Sequence, residues 1–217
     1  MGTAPATTRA LFGGAGAVVV PAAFVDASRF RDVPDNQECF VDDADRVIAI
    51  ELLECGAGAA LEEGMEAPLA PAAGAASLAT RNPAVAAFMD LSRWNDAASY
   101  AVERAEARVR PDAAPGLVEG AGAAVRFDFA STCVGTLHNV VKFREADPVG
   151  NDVRVWVAVA RSAALNCDLV LSVTVPIRVS AASSTAARSE FVDPALGETV
   201  FADALRTLRI VNRGLFA

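Results

Sequence analysis

The chain has 217 residues, of which 53% are apolar and 6% aromatic, and its net charge is −8 with a pI near 4.7. That length suits one domain, and the apolar share suffices for a core, although alanine swells it. The charge excludes a phosphate-binding surface: nucleic acid and an anionic membrane leaflet both repel such a protein, whereas a basic protein partner suits it.

Residues 1–9 read as a disordered tail ahead of a single domain over 10–217. The apolar run 11–25 is too short to span a bilayer, is broken by Gly13, Gly14, Gly16 and Pro21, and shows no signal-peptide pattern. It fits a strand over 11–20 with a bulge at Gly13-Gly14, stopped by Pro21. Residues 26–30 fit one helical turn capped by Asp26 or Ser28. Val33-Pro34-Asp35-Asn36 then turns the chain into a hairpin, with strands over 37–41 and 47–53 and a polar loop over 42–46. Symmetric closure of that loop sets Val41 against Val47, Cys39 against Ala49, and Gln37 against Glu51. The last pair places an amide beside a carboxylate.

The Ala/Gly/Pro-rich stretches near 56–80 and 106–124 bury little area and are expected as flexible insertions. Asn82-Pro83 opens a helix that ends near Trp94, with Val85, Phe88 and Met89 inward. Residues 98–105 fit a strand. Three more strands follow over 131–144, 153–161 and 169–177, and their short turns make them antiparallel. Asp193-Pro194 starts a final helix whose Leu196, Val200, Phe201, Ala204, Leu205 and Leu208 recur at helical spacing. The end, 210–217, reads as extended and tied down, and both tryptophans, Trp94 and Trp156, read as core residues. The sum is an α+β domain: a mainly antiparallel sheet of about six strands with helices on its faces.

Nothing in the sequence points to catalysis. The single histidine, His138, lies five residues after Cys133 in one strand, so the two point to opposite faces. Asp42-Asp43-Ala44-Asp45 lacks the glycine and distant glutamate of a calcium loop. Gly13-Gly14-Ala15-Gly16 lacks the lysine and helix of a phosphate loop. The four cysteines form no CxxC pair and read as reduced, small apolar residues. No catalytic residue, metal or cofactor is expected. What stands out is charge: residues 26–54 carry nine acidic side chains against three arginines, a net of −6 out of −8. That concentration argues for a protein-binding module.

Leu11-Phe12-Gly13-Gly14-Ala15, Val33-Pro34-Asp35-Asn36-Gln37-Glu38 and Ile50-Glu51-Leu52-Leu53-Glu54, in that order, resemble the MOG family of Ran guanine nucleotide release factors. Asp26-Ala27-Ser28, Trp94-Asn95-Asp96-Ala97, Asp168-Leu169-Val170-Leu171 and Gly214-Leu215-Phe216-Ala217 match as well. The resemblance implies an α/β/α sandwich shared with the PsbP proteins. It also implies a monomer of nucleus and cytoplasm that binds the small GTPase Ran, promotes nucleotide release and supports nuclear import. The family's DLLE acids fall on Glu51 and Glu54. The expected Ran-binding set is Asp26, Arg31, Asp35, Asn36, Gln37, Glu38, Glu51 and Glu54, with the loop-tip acids as bystanders. One condition applies. Glu51 and Glu54 are three apart, so they share a site only if the strand ends or bulges near Leu53. A different protein partner, or a small ligand, is the alternative use of the same fold.

Overall fold

The computed structural model describes residues 5–55, 79, 81–141, 150–181, 183, 186 and 194–216. The expected insertion at 56–80, apart from Ala79, and the start of the last helix at Asp193 lie outside them.

The main sheet has seven strands, all antiparallel to their neighbours. Its members are β3 (Val25–Asp26), β4 (Gln37–Val41), β5 (Val47–Glu54), β6 (Ser99–Glu106), β7 (Phe129–Val140), β8 (Asn151–Ser162) and β9 (Cys167–Arg178). The order across the sheet is β3-β4-β5-β9-β8-β7-β6. One strand more than expected appears because the two-residue β3 pairs with the end of β4.

Period-2 patterning decides which side each residue takes. In β8, Val153, Val155, Val157 and Val159 face helix α1 (Pro83–Trp94), together with Val85, Phe88 and Met89. Trp156, Ala158 and Ala160 face the other side, with Val200, Phe201, Ala204, Leu205 and Leu208 of helix α2 and its C-terminal flank (α2, Pro194–Thr207). Gly197 lets α2 approach so closely that a Cβ there would sit 2.5 Å from the Trp156 ring. Asn82 caps α1 by accepting from the Ala84 and Val85 amides, as its sequence position predicts.

A second, three-stranded sheet in the order β1-β2-β10 joins the α2 side through Leu11, Val18, Val20 and Ile210. It comprises β1 (Ala6–Leu11), β2 (Gly16–Pro21) and β10 (Arg209–Ile210). Two expectations fail here. The tail over 1–9 is ordered from Ala6 onward, because β1 pairs with β2 along its whole length. The expected single strand over 11–20 is instead a hairpin. Phe12, Gly13 and Gly14 all have positive φ (51°, 65° and 96°), which reverses the chain instead of bulging it.

Three more readings need correction. The 106–124 stretch is docked: turns at Pro111–Ala113 and Pro115–Glu119 bury Ala114 and Leu117 in the α2-side core. Trp94 is 85% exposed, because Ser92 takes the inward position of the last turn and Trp94 lies two residues further round the helix. The C-terminal stretch is tied down, with the Val211 and Asn212 amides donating to Ala15 O, but its strand ends at Ile210 and it closes in a short turn, Arg213–Phe216, where an extended run was expected.

Candidate functional site

The acidic hairpin forms in the expected register, with Gln37 opposite Glu51, Cys39 opposite Ala49 and Val41 opposite Val47. Its tip is a built turn, more than a solvated loop. Buried Asp42 accepts from the Ala44 and Arg46 amides and pairs with the Arg46 guanidinium at 2.5 Å. That carboxylate is consumed by the fold, which leaves the action to the other end of the hairpin.

At that other end the Val33–Asn36 turn is pinned to β5. The Leu52 amide donates to Asn36 O at 2.9 Å, and Asn36 Nδ2 donates to Leu52 O at 3.0 Å. Asp35, just before this clamp, is exposed. On the α1 side of the sheet, Gln37 Nε2 donates to Glu51 Oε1. Glu51 Oε2 has no partner among the described residues. Beside this pair, Arg31 Nη2 donates to buried Cys39 Sγ at 2.8 Å, which ties the preceding loop to β4. Burial pushes the Cys39 thiol up, despite the nearby guanidinium, so it serves as an anchor and not a nucleophile.

Glu38 points to the α2 side, where its carboxylate accepts the Phe12 amide. This bond holds the unfavourable positive-φ conformation of Phe12 and joins the first motif of the chain to the second. Burial raises the Glu38 pKa. The Phe12 N–H partly offsets that effect, and the charge of Asp26 adds to it. Asp26 caps the turn Ala27–Arg29 by accepting from Ser28 N at 2.9 Å, and this bonding with Ser28 lowers its pKa.

Glu54 stands apart. β5 runs without a bulge through Glu54, pairing Leu53 with Asp168 and Glu54 with Cys167. Glu51 therefore shares the face of Leu53, in the α1-side core, and Glu54 shares the face of Leu52, in the α2-side core. The condition for a joint site is not met. Glu38 and Glu54 do share a face, but Glu54 is four residues beyond Ile50, the partner of Glu38, or about 13 Å along the strand.

Six of the eight expected residues thus gather around the first half of β4, whereas Asp26 lies opposite Phe40 towards its end and Glu54 lies beyond it. They occupy both faces of the sheet. β3 pairs only with Phe40 and Val41, so no described strand lies beyond Gln37 and Glu38, and the site is a sheet rim. The roles of Phe12 N and Cys39 Sγ were not legible, because both are long-range contacts of groups with no polar signal in sequence. No cysteine–histidine pair assembles among the described residues. Burial pushes the Cys133 thiol up to about 12, and His138 lies 3.5 Å from Asp152 instead.

A family profile described as Ran-interacting Mog1 protein matches residues 9–176. The Ran guanine nucleotide release factor of Danio rerio is 50% identical over 48 residues, which make up 22% of this chain and 26% of that protein. The chain therefore aligns with about a quarter of that relative's length. The crystal structure of the Saccharomyces cerevisiae Ran-binding protein Mog1p superposes with a TM-score of 0.58 at 21% identity, over 99% of this chain and 100% of the yeast protein, so the two share a fold. A solution structure of PsbP from Synechocystis is a looser match, with a TM-score of 0.44 at 12% identity over 94% of this chain and 93% of that one.

Proposed function

The chain belongs to the family of Ran-interacting Mog1 proteins, and from that membership we propose that it binds the small GTPase Ran through the β4 rim. On this reading it promotes release of Ran's guanine nucleotide and so supports nuclear protein import, acting in nucleus and cytoplasm. It works as a regulator without catalytic chemistry of its own. The observation that carries the proposal is the Gln37–Glu51 pair, a carboxylate held in place by the rim strand β4 with one oxygen unpartnered among the described residues.

The chemistry follows from how small GTPases hold nucleotide. Mg²⁺ and a phosphate-loop lysine neutralise the phosphates. A carboxylate delivered beside either one competes for it and weakens the grip on the nucleotide. Glu51 suits that role because Gln37 fixes its orientation before binding, which lowers the ordering cost. Asp35, Asp26 and Glu38 supply the surrounding negative field that steers a basic partner. Glu54 lies off this surface and is left out of the binding set.

The test is nucleotide release from Ran loaded with labelled GDP or GTP, together with a titration of affinity. Glu51→Lys is expected to weaken binding about tenfold or more and abolish accelerated release, since reversing a positioned interface charge costs several kcal/mol. Glu54→Lys is expected to act within about twofold of the parent. Both should leave the circular dichroism spectrum unchanged. Full activity of Glu51→Lys would refute the assignment.

A further inference from the structure

The rim carries one large apolar side chain that the fold leaves outside. Phe30 is 62% exposed, and Val25, five residues earlier on β3, is 42% exposed. Only Trp94 and Val211 are comparable among the described large apolar residues. Trp94 ends α1 at the far end of the sheet, where Arg93 is already paired with Asp90, so nothing there specifies a partner. Phe30 is different on two counts.

First, its backbone is held. The amides of Phe30 and Arg31 both donate to Ala27 O at 3.1 Å, Asp26 caps the same turn, and Ala27 is fully buried. One residue later, Arg31 is tied to Cys39 on β4. The aromatic ring is thus displayed between two fixed points at little ordering cost. Second, the segment that carries it is acidic in excess. Between residues 26 and 38, Asp26, Asp32, Asp35 and Glu38 stand against Arg29 and Arg31, and the Arg31 guanidinium is already engaged with Cys39. A displayed aromatic within an acidic segment suits an interface centre, where a buried aromatic supplies affinity and the charged border excludes wrong partners.

We infer that Phe30 is the apolar anchor of this surface and inserts into a pocket bordered by basic side chains on the GTPase. The inference rests on the proposed binding of Ran, and its test separates the two. Affinity for Ran is measured by calorimetry for Phe30→Ala, Phe30→Leu and Glu51→Lys, at low and high salt, with thermal melts of each variant. Phe30→Ala is expected to bind about tenfold or more weaker with an unchanged melting temperature. That loss should persist at high salt, because the contact is apolar, while the relative loss in Glu51→Lys should shrink. Phe30→Leu should recover most of the affinity. If Glu51→Lys loses binding while Phe30→Ala binds like the parent, the anchor is overturned and the acidic rim stands. If the parent itself does not bind Ran, the functional reading falls, and the anchor assigned to that partner falls with it. A lower melting temperature in Phe30→Ala that accounts for the lost affinity would make the residue structural and also overturn the inference.

Discussion

The centre of the main sheet and its β3–β4 rim are built on opposite terms. β7, β8 and β9 are twelve residues long each, pair along nearly their whole length and are buried on both faces. β3 and β4 are two and five residues long, and their polar side chains are spent on turns, caps and cross-links. In the centre, stability comes from apolar area, and a charge there would be costly. At the rim, each polar contact contributes little to stability but fixes a side chain in one direction. A binding surface needs the second property, which explains why the acids are concentrated where the sheet is thinnest. Short strands, inward-tied charges and turns that lift off the sheet also protect such an edge from pairing with another chain.

If this contrast is right, central substitutions should cost folding and rim substitutions should cost binding. The largest effect is expected for Trp156→Ala. It removes a fully buried ring packed on Gly197 and the indole N–H donated to Glu198 at 2.6 Å. A loss of about 3–5 kcal/mol in urea unfolding is expected. A loss under about 1 kcal/mol would mean that the centre is not the source of stability.

Glu38→Gln sharpens the contrast from the other side. Its pKa is raised in the folded state, so the native protein holds the proton more tightly than the unfolded chain does. Ionised Glu38 therefore costs stability once pH rises above its ordinary carboxylate range and through its raised value. Glutamine keeps an oxygen for the Phe12 amide. The variant should be unchanged at acidic pH and more stable at neutral pH by no more than ~1 kcal/mol, given solvent screening. Ran affinity should fall at the same time. Opposite signs for stability and affinity in one variant would be hard to obtain from a core residue.

An effect of similar size is expected at Gly13. Its φ is 65°, and a Cβ would meet nothing within 4 Å, so Gly13→Ala tests backbone strain alone. About 1 kcal/mol is expected in thermal melts. A much larger loss would show that the turn is coupled to the rim through Glu38.

Much of this fold was legible in the sequence wherever local period and loop length agreed. The hairpin register, both residues of the Gln37–Glu51 pair and the faces of β8 follow from alternation, and the start of α1 follows from Asn82-Pro83. The same period-2 argument supplies the condition on which Glu51 and Glu54 could share a site, although the expected set includes both. The failures share a cause: they concern residues whose placement depends on distant partners. Gly13-Gly14 signals backbone freedom, but bulge or reversal depends on whether β2 folds back on β1. Leu117 sits in an Ala/Gly/Pro-rich stretch that looks too poor in apolar area to pack, yet small neighbours let it reach the core. Trp94 looks like a core residue by type, but its helical angle turns it outward. Phe30 is not legible as a surface feature, because a lone aromatic in a charged loop carries no periodic signal.

The placement of β2 also has a consequence for biosynthesis. Its inner ladder partner, β10, and the helix that covers it belong to the far end of the chain: Val19 N donates to Thr207 Oγ1 at 3.0 Å across 188 residues. Closing so long a loop is slow and entropically costly. During vectorial translation β1 and β2 can pair at once, but Val18 and Val20 stay uncovered until α2 emerges. The nascent chain thus carries an unsheltered apolar strip until residues 194–210, which seal it, have left the ribosome.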